Sequence, residues 1–330
     1  MSPLVNLATK DASKCLKIPN QSSNKYSRGV LGVITGSNEY PGAAVLSTRA
    51  AAYANIGMVR YSGPLRAQNL VLQASPEVVA SEQLSGKLDA ITVGSGIPDA
   101  EHCSSESAQE QREQIANILK NYENESQSSN IQSQSQNELP PICVDAGALD
   151  LLPKKVCEKV VLTPHAGELS SLFARYDLEI SAQEILKNPV EYAQKAADLT
   201  GATVLVKGAT TVVASASYTH TPIYIAQYGP TWLATAGSGD VLAGILGALL
   251  AQREKQDESR TNYAFIAASA AVIHGICAVF ASRSSGGNSY TQLVQDMLKA
   301  KKPLALEHPI VASDIISALP HVLGILINMK

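Results

Sequence analysis

Short apolar runs alternate with longer segments of helical composition along most of the chain. The runs cover residues 30–35, 58–61, 90–93, 142–145 and 160–163, and each one ends near a glycine or a polar turn. Runs this short are typical of strands that are buried on both faces. Between the first two runs, a stretch of small residues is closed by Gly57, which indicates a helix. The alternation predicts an α/β fold, with a mostly parallel central sheet and helices on both of its faces.

Three extended segments follow each other closely in the second half of the chain. They are Thr203–Lys207, Thr211–Ala216 and Pro222–Ala226. Their connections are too short to hold crossover helices, so they predict hairpins and an antiparallel edge of the sheet. Because sheets of this kind bind ligands at the carboxyl ends of their strands, the glycine-containing turns at those ends are the expected site.

Composition separates one large domain from two polar segments. Residues 1–28 are polar and without pattern, which indicates an N-terminal arm or cap, and residues 29–330 are expected to form a single domain. Residues 104–138 form an insert that is rich in Ser, Gln, Asn and Glu. Part of this insert, Gln111–Tyr122, has helical composition, whereas Glu123–Glu138 has the low complexity of a mobile surface loop.

The charge and the cysteines narrow the classes of partner. With a net charge of −3 and a pI near 6.1, no basic surface is expected to attract nucleic acid, and the expected partners are small molecules. The five cysteines follow neither a disulfide nor a zinc-ligand spacing, which favours a reducing, cytoplasmic setting. The charge-free segment Tyr263–Ser282 approaches the length of a membrane helix. Its many alanines, with Ser269 and His274, favour a buried core helix, and no membrane association is expected.

The most informative motif is Thr235-Ala-Gly-Ser-Gly-Asp-Val-Leu-Ala-Gly244, in which a glycine-spaced turn opens onto an apolar helix. Gly237 and Gly239 allow backbone N–H groups to approach a phosphate closely, and the helix start directs its positive dipole end at the same anion. An aspartate at the first helical position, Asp240, can take a proton from an attacking hydroxyl. The pattern indicates phosphoryl transfer, although an aspartate that only caps open amides gives the same residues.

Four motifs in order resemble those of the ADP/ATP-dependent NAD(P)H-hydrate dehydratases, repair enzymes of the ribokinase-like superfamily. They are Lys25–Ala44 (KYSRGVLGVITGSNEYPGAA), Thr163–Glu168 (TPHAGE), Lys207–Thr211 (KGATT) and Ala234–Gly244 (ATAGSGDVLAG). The last motif is shared across the superfamily, whereas the first two are more specific to the dehydratases. The resemblance implies a ribokinase-like fold and an enzyme that uses ADP or ATP, with Mg²⁺, to repair NAD(P)H hydrate.

In that family the damaged substrate carries a hydroxyl at C6 of the reduced nicotinamide ring. Phosphorylation from ADP or ATP turns this hydroxyl into a leaving group, and elimination of phosphate restores NAD(P)H. The resemblance implies that Asp240 accepts the hydroxyl proton. It also implies that Gly237, Ser238 and Gly239 supply the amides that stabilise the transferring phosphoryl group.

The resemblance further assigns two groups of binding residues. The substrate-binding group is Ala43, Ala44, Gly96 and His165, together with Asp240, and the nucleotide-binding group is Lys207, Gly208, Ala209, Thr210, Thr211 and Gly239. Without the resemblance, a tight turn at 207–211, helix packing by the two alanines and a surface histidine explain the same residues.

Three other positions are less specific. The segment Gly94-Ser-Gly-Ile-Pro98 departs from the family's Gly-Pro-Gly-x-Gly. Asp145 fits an Asx-turn as well as it fits a group that organises Mg²⁺ or water near the phosphates. His274 is expected to be a core histidine with its hydrogen bonds satisfied.

The resemblance also bears on partners. It implies a homo-oligomer, a tetramer in the family, that acts beside an NAD(P)H-hydrate epimerase supplied by another protein, because only about 28 residues precede the first expected strand. ADP is the expected phosphoryl donor. Two other functions are open: a ribokinase-like kinase acting on a sugar, hydroxyethylthiazole or a pyridoxal-type alcohol, and a nucleotide-binding protein without catalysis. The carboxylate of Asp240 favours an enzyme over the pure binder.

Overall fold

The computed structural model describes residues 2–125, 139–254, 261–283 and 308–329, and a ten-stranded sheet forms the centre of this part of the chain. The strands are β1 (Leu4–Asn6), β2 (Val30–Ile34), β3 (Met58–Ser62), β4 (Val79–Ser81), β5 (Ala90–Val93), β6 (Ile142–Val144), β7 (Val160–Leu162), β8 (Thr203–Val206), β9 (Thr211–Ala214) and β10 (Ile223–Ala226). They lie in the order β1-β10-β9-β8-β7-β6-β5-β2-β3-β4. The strand order therefore reverses between β2 and β5, and a ligand-binding crevice is expected at the carboxyl ends of these two strands.

Neighbouring strands run parallel except where β9 lies antiparallel between β8 and β10. The predicted mostly parallel sheet with antiparallel strands at one side is confirmed. Beyond the hairpins, β1 adds an outermost strand parallel to β10, with Leu4 opposite Ile223.

Helices cover both faces of the sheet. They are α1 (Thr9–Ala12), α2 (Pro41–Tyr53), α3 (Leu65–Ala74), α4 (Glu106–Glu125), α5 (Ala166–Ala174), α6 (Ala182–Lys187), α7 (Pro189–Thr200), α8 (Ser238–Glu254), α9 (Tyr263–Arg283) and α10 (Ala312–Ile327). Successive residues of a strand face opposite sides. Accordingly, Leu205 of β8 packs in a hydrophobic cluster with α8 and α9, whereas Val204 and Val206 pack in another cluster with α4, α5 and α7. The α/β layering predicted from the sequence is confirmed.

Helix α9 contains the charge-free segment. It is long and apolar enough to cross a membrane, but 94% of its most apolar window is buried within the fold. It packs between α8 and α10 and against β8, β9 and β10. It is the buried core helix that its composition predicts.

The N-terminal segment is more ordered than its polar composition indicates. Besides the edge strand β1, it contributes Leu7, Ala12, Cys15 and Leu16, which are buried in the same cluster as α9. A three-residue strand and a one-turn helix are too short to show a hydrophobic period. Part of the expected arm or cap therefore belongs to the sheet and the core.

The polar insert contains a core helix. Helix α4 is longer than the predicted Gln111–Tyr122, and it buries Ala108, Ile115, Leu119 and Tyr122 at helical spacing. The residues between them are polar, so the composition of the segment as a whole does not show this apolar face. Residues 123–125, expected in a mobile loop, are helical, which corrects that prediction, and residues 126–138 of the loop lie outside the described residues.

Candidate active site

The phosphate cradle, which we define as Gly237, Ser238 and Gly239, lies at the start of α8. The helix begins at Ser238, so Asp240 is its third residue and not its first, as the sequence indicated. The Gly237 carbonyl accepts a helical bond from the Val241 N–H at 3.1 Å, and this bonding sets the start of the helix. The N–H groups of a first helical turn have no partner within the helix. That of Ser238 donates to the Thr235 carbonyl at 3.4 Å, whereas those of Gly239 and Asp240 have no partner within the described residues and are available to an anion.

Gly237 lies between two helices. Its φ is +85°, and a Cβ at this position would lie 2.4 Å from Leu46 Cδ1 of α2 and 3.1 Å from Ala312 Cβ of α10. A side chain is therefore excluded by both conformation and space. The Ser238 hydroxyl donates to the Leu233 carbonyl at 2.9 Å. Both the backbone N–H and the side chain of Ser238 therefore hold the preceding loop, the N–H through a long bond to the Thr235 carbonyl.

The Asp240 carboxylate is partly buried beside the cradle, with Oδ2 3.8 Å from the position of a Cβ on Gly237. Within the described ranges, no group donates a hydrogen bond to it, so the structure does not show the capping interaction. Burial raises the pKa of Asp240 to about 7; the charge of Asp145 also raises it, and that of Lys207 opposes the rise. A carboxyl that titrates near neutral pH is suited to accept a proton.

Lys207 connects the cradle to the sheet. It follows β8, and its Nζ lies 3.7 Å from the position of a Cβ on Gly239. Nζ donates to Asp145 Oδ1 at 2.8 Å and lies 3.5 Å from Glu168 Oε2. Burial alone would lower the pKa of Lys207, but the two carboxylates outweigh burial and raise this pKa. The ammonium is therefore charged and fixed next to the cradle.

Asp145 follows β6 and accepts three hydrogen bonds. Besides the bond from Lys207, Ser95 Oγ donates to Oδ2 and Thr163 Oγ1 donates to Oδ1, each at 2.8 Å. The side chain caps no backbone amide of the turn that follows, so the Asx-turn is not formed. Burial alone would raise the pKa of Asp145, but Lys207 and the two hydroxyls outweigh it and lower this pKa. Asp145 is therefore an ionised, buried carboxylate.

His165 is the N-cap of α5. Its Nδ1 accepts hydrogen bonds from the N–H groups of Gly167 at 3.0 Å and Glu168 at 3.1 Å, while Glu168 Oε2 accepts one from the His165 N–H at 2.7 Å. Because Nδ1 is an acceptor, the neutral ring carries its proton on Nε2. The side chain is 59% exposed. The Nε2–H group is therefore free to be offered to a ligand, with Glu168 Oε1 3.5 Å away.

Ala43, Ala44 and Gly96 meet where the strand order reverses. Gly96 has a φ of +68°, and a Cβ on it would lie 2.4 Å from Ala43 Cβ. A Cβ on Gly36, after β2, would lie 2.7 Å from Ala44 Cβ. Both alanines are buried by this packing, so the first turn of α2 offers a ligand its backbone rather than its methyl groups.

A cavity of about 430 Å³ opens beside these residues. Tyr40, Ile97, His165 and Glu168 are among the residues that line it, so it joins the start of α2 to the N-cap of α5. Its volume lies within the range of small-molecule sites. A larger cavity of about 740 Å³, between α3 and α4, contains none of the candidate site residues.

Residues 207–210 form the turn between β8 and β9, and Thr211 begins β9. The Thr211 hydroxyl donates to the Gly208 carbonyl at 3.4 Å, and Thr210 Oγ1 accepts from Gln227 Nε2 at 3.3 Å. Gly208 does not have a positive φ, so the turn does not need glycine for its conformation. Gly208 and Ala209 are exposed, which leaves this backbone open beside Lys207.

Two functional candidates were missed and one expectation was confirmed only in part. Glu168, which pairs with Lys207, has a sequence signal, because a Glu three residues after an N-cap completes a capping box. Tyr40, which lines the cavity, has none. His274 is a buried core residue, as expected, and its ring has a hydrogen bond with the Ser238 backbone, but its Nε2 has no hydrogen-bond partner in the described part of the chain. Burial lowers the pKa of His274 to about 4, so the ring is neutral.

The described residues contain no group of three or more His, Cys, Asp or Glu side chains placed to hold a metal ion. Besides Asp240, the carboxylates near the cradle are those of Asp145 and Glu168, and both pair with Lys207. Protein sites for Mg²⁺ often supply one or two carboxylates, with phosphates and water completing the shell. A magnesium ion implied by the resemblance would therefore be held mainly by phosphate oxygens and water.

The fold is that of the ribokinase-like superfamily. The structure aligns with a ribokinase-like superfamily protein from Enterococcus faecalis at a TM-score of 0.68 and 20% identity, over 98% of this chain and 96% of that one. It aligns equally with the ADP/ATP-dependent NAD(P)H-hydrate dehydratase from Bacillus subtilis co-crystallized with ATP/Mg²⁺, at a TM-score of 0.68 and 21% identity, over 98% and 99%. At these identities the similarity establishes the fold alone.

Sequence similarity is more specific: the chain belongs to the NAD(P)H-hydrate dehydratase family, whose model matches residues 31–300. It is 34% identical over 307 residues to the bifunctional NAD(P)H-hydrate repair enzyme Nnr of Corynebacterium glutamicum, covering 86% of this chain and 48% of that protein. It is 30% identical over 281 residues to the ADP-dependent (S)-NAD(P)H-hydrate dehydratase of Neisseria meningitidis, covering 81% of each. The chain spans about half the length of the curated bifunctional relatives it matches.

Proposed function

We propose that the protein is a nucleotide-dependent (S)-NAD(P)H-hydrate dehydratase, a carbon–oxygen lyase that repairs the hydrated cofactor. Family membership favours this function over a sugar, hydroxyethylthiazole or pyridoxal-type kinase. The observation that carries the proposal is the meeting of Asp240, the phosphate cradle and Lys207 near a cavity lined by His165. A protein that only binds nucleotide has no need of a partly buried carboxylate with a raised pKa at this point.

Asp240 acts on the C6 hydroxyl of the hydrate. As the hydroxyl oxygen attacks the terminal phosphorus of ADP, its proton passes to the carboxylate and AMP leaves with the bridging oxygen. Loss of phosphate from C6 and of a proton from C5 then restores the ring double bond. A pKa near 7 makes Asp240 a stronger base than an ordinary aspartate while leaving much of it ionised at neutral pH.

The phosphate cradle and Lys207 act on the nucleotide. The open amides of the first turn of α8, with the positive end of the helix dipole, stabilise the negative charge that builds on the transferring phosphoryl group. Lys207 adds a fixed positive charge beside Gly239. The nucleotide is proposed to lie along the exposed turn at 207–211, which is next to that charge.

The hydrate is proposed to occupy the other half of the cleft, against Ala43, Ala44, Gly96 and His165. The closely packed start of α2 lets the substrate approach the backbone, and His165 Nε2–H can donate to a ribose or phosphate oxygen. In-line transfer requires the hydroxyl and the terminal phosphate to meet at the base. Asp240 therefore stands between the two ligands.

ADP, bound with Mg²⁺, is proposed as the phosphoryl donor. The Neisseria relative is named as ADP-dependent, and the Bacillus structure was co-crystallized with ATP/Mg²⁺. When bound, the ion neutralises phosphate charge. Its ligands are proposed to be mainly phosphate oxygens and water, since the described residues contain no group of three or more His, Cys, Asp or Glu side chains that could hold it alone.

The proposal is tested with purified protein, (S)-NADH hydrate and ADP. The expected result is one NADH, one AMP and one phosphate for each hydrate consumed, followed by the returning absorbance of NADH and by chromatography. A stable phosphorylated product without NADH would identify a kinase, and the absence of both products, with ATP as well as ADP, would reject the proposal.

The epimer of the substrate supplies the control. The protein alone should leave the (R)-epimer unchanged, and adding a separate NAD(P)H-hydrate epimerase should make both epimers disappear. Consumption of the (R)-epimer by this protein alone would contradict the assignment to the (S)-epimer.

A further inference from the structure

Asp145 lies at the centre of a buried network that the proposed reaction does not explain. Only 3% of the residue is exposed, and three donors, Ser95, Thr163 and Lys207, each reach its carboxylate at 2.8 Å. Burial of an ion pair is costly, and apolar residues of similar volume are often as stabilising. Stability alone therefore does not account for a carboxylate at this position.

The three donors come from neighbouring strands of the sheet. Thr163 directly follows β7, Lys207 directly follows β8, and Ser95 lies just after β5, while Asp145 itself follows β6. These four strands are adjacent and parallel, so their carboxyl ends meet at one edge. The network thus runs along the edge at which both ligands are proposed to bind.

Each end of the network touches a different half of the cleft. At one end, Ser95 is bonded to the carboxylate and precedes Gly96, which packs against Ala43 on the hydrate side. At the other end, Lys207 Nζ is bonded to the carboxylate and lies beside Gly239 of the phosphate cradle. The Asp145 side chain is therefore hydrogen-bonded to a residue on each side of the cleft, Ser95 and Lys207.

We propose that Asp145 is a positioning residue for phosphoryl transfer, which fixes the Lys207 ammonium beside the phosphate cradle and the Ser95–Gly96 turn beside the hydrate. This inference rests on the proposed function and adds a residue that touches neither ligand. In-line attack is sensitive to such positioning, because a displacement of about 1 Å can cost roughly 100-fold in rate. Asp145 sets the spacing between the nucleotide and the hydrate.

The charge of Asp145 has a second effect, on the base. Burial is the main cause of the raised pKa of Asp240, the charge of Asp145 raises it further, and Lys207 opposes the rise. The other ionisable groups in this region of the described structure include Glu168, beside Lys207, and His274 on α9, which is neutral. Cys143 of β6 also lies here, and burial and the charge of Asp145 raise the pKa of its thiol, so it is uncharged. Loss of the Asp145 charge should therefore lower the pKa of Asp240.

The test is Asp145→Asn, which keeps the shape and removes the charge. The KM values for ADP and for the hydrate should both rise, by roughly 10- to 100-fold, as expected when a hydrogen bond to a charged group is lost. The acid limb of the kcat/KM profile should move to lower pH. Wild-type KM values with an unmoved acid limb would overturn the inference, even if the melting temperature fell.

Thr163→Val is the matched control, because it removes one hydrogen bond to the same carboxylate and keeps its charge. The acid limb of its kcat/KM profile should stay at the wild-type pH. A shift as large as that in Asp145→Asn would count against the effect of the Asp145 charge on the pKa of Asp240. Ser95→Ala loosens only the hydrate side. It should raise the KM for the hydrate and leave the ADP affinity, measured by calorimetry, close to the wild-type value.

Ser95→Ala also keeps the inference testable if Asp145→Asn does not fold. Equal effects of Ser95→Ala on the KM for the hydrate and on the affinity for ADP, or no effect on either, would reject the inference. Turnover of the hydrate by the wild-type protein is measured first. Its absence would count against the proposed function. Wild-type behaviour of Asp145→Asn and Ser95→Ala, in the presence of normal wild-type turnover, would reject the positioning role alone.

Discussion

Replacing Asp240 with Asn should make the protein more stable as well as nearly inactive. Folding transfers this carboxyl to a site where burial raises its pKa from 3.8 to about 7. Above pH 7 the folded protein must therefore hold an ionised group in surroundings that disfavour it. One pKa unit corresponds to about 1.4 kcal/mol, so a rise of about three units costs about 4 kcal/mol of folding stability at pH 8.

The sign of the pH dependence follows from proton binding. Between about pH 4 and pH 7 the folded protein keeps the Asp240 proton that the unfolded chain has lost, so stability falls as the pH rises through this window. Asn removes this contribution. The gain in the free energy of unfolding should be about 4 kcal/mol at pH 8 and only about 2 kcal/mol at pH 5.

Urea denaturation of the wild type and Asp240→Asn at both pH values measures this gain from the midpoints, provided that the m-values agree. Glu113→Gln, at an exposed position of α4, controls for a general effect of removing one negative charge. An equal gain at both pH values, or a loss of stability at pH 8, would refute the reasoning. It would also remove the argument that burial makes Asp240 a stronger base.

Four further predictions concern turnover, ligands and the cradle. Asp240→Ala should cut turnover by roughly 10²- to 10⁴-fold and leave ADP affinity nearly intact; wild-type NADH recovery would remove Asp240 from the mechanism. Wild-type kcat/KM should fall as the pH falls through about 7, because a protonated carboxyl cannot accept a proton, and a profile that is flat across this range would contradict that. In calorimetric titrations, Lys207→Ala should weaken ADP far more than the hydrate and His165→Ala should do the reverse; loss of the same ligand in both would refute the two-sided cleft. Gly237→Ala should lower the melting temperature, because its Cβ would lie 2.4 Å from a neighbouring side chain at a φ of +85°, whereas Gly42→Ala, whose Cβ meets nothing within 4 Å, should not; equal melting temperatures would contradict the packing argument.

Strands that are buried on both faces of the sheet could be predicted from the sequence. Strand β5 has the predicted bounds, 90–93, because a short, mostly apolar run between Asp89 and Gly94 can be recognised without knowledge of its neighbours. Strand β1 and the full length of α4 could not be read in this way. Strand β1 is too short to show a hydrophobic period and α4 is mostly polar. Both are held by contacts with β10 and with the core, which only the tertiary structure supplies.

In the site, too, local features could be predicted from the sequence, whereas features that depend on the tertiary structure could not. The glycine-spaced turn before Asp240 is local, so its chemistry can be inferred from adjacent residues. The pairing of Asp145 with Lys207 joins residues 62 positions apart on strands whose neighbourhood depends on the sheet order. The raised pKa of Asp240 likewise depends on burial and on the Asp145 charge, and neither is visible in its own segment.

The close approach of Ala312 to Gly237 has a consequence for folding during synthesis. The ribosome makes the glycine turn well before it makes α10, the helix whose first residue closes one side of that turn. A nascent chain can therefore form most of the sheet before α10 is present to pack against the turn. The nucleotide binding proposed above should therefore depend on α10 having docked, and a nascent chain that has not yet made α10 should bind ADP more weakly than the whole chain.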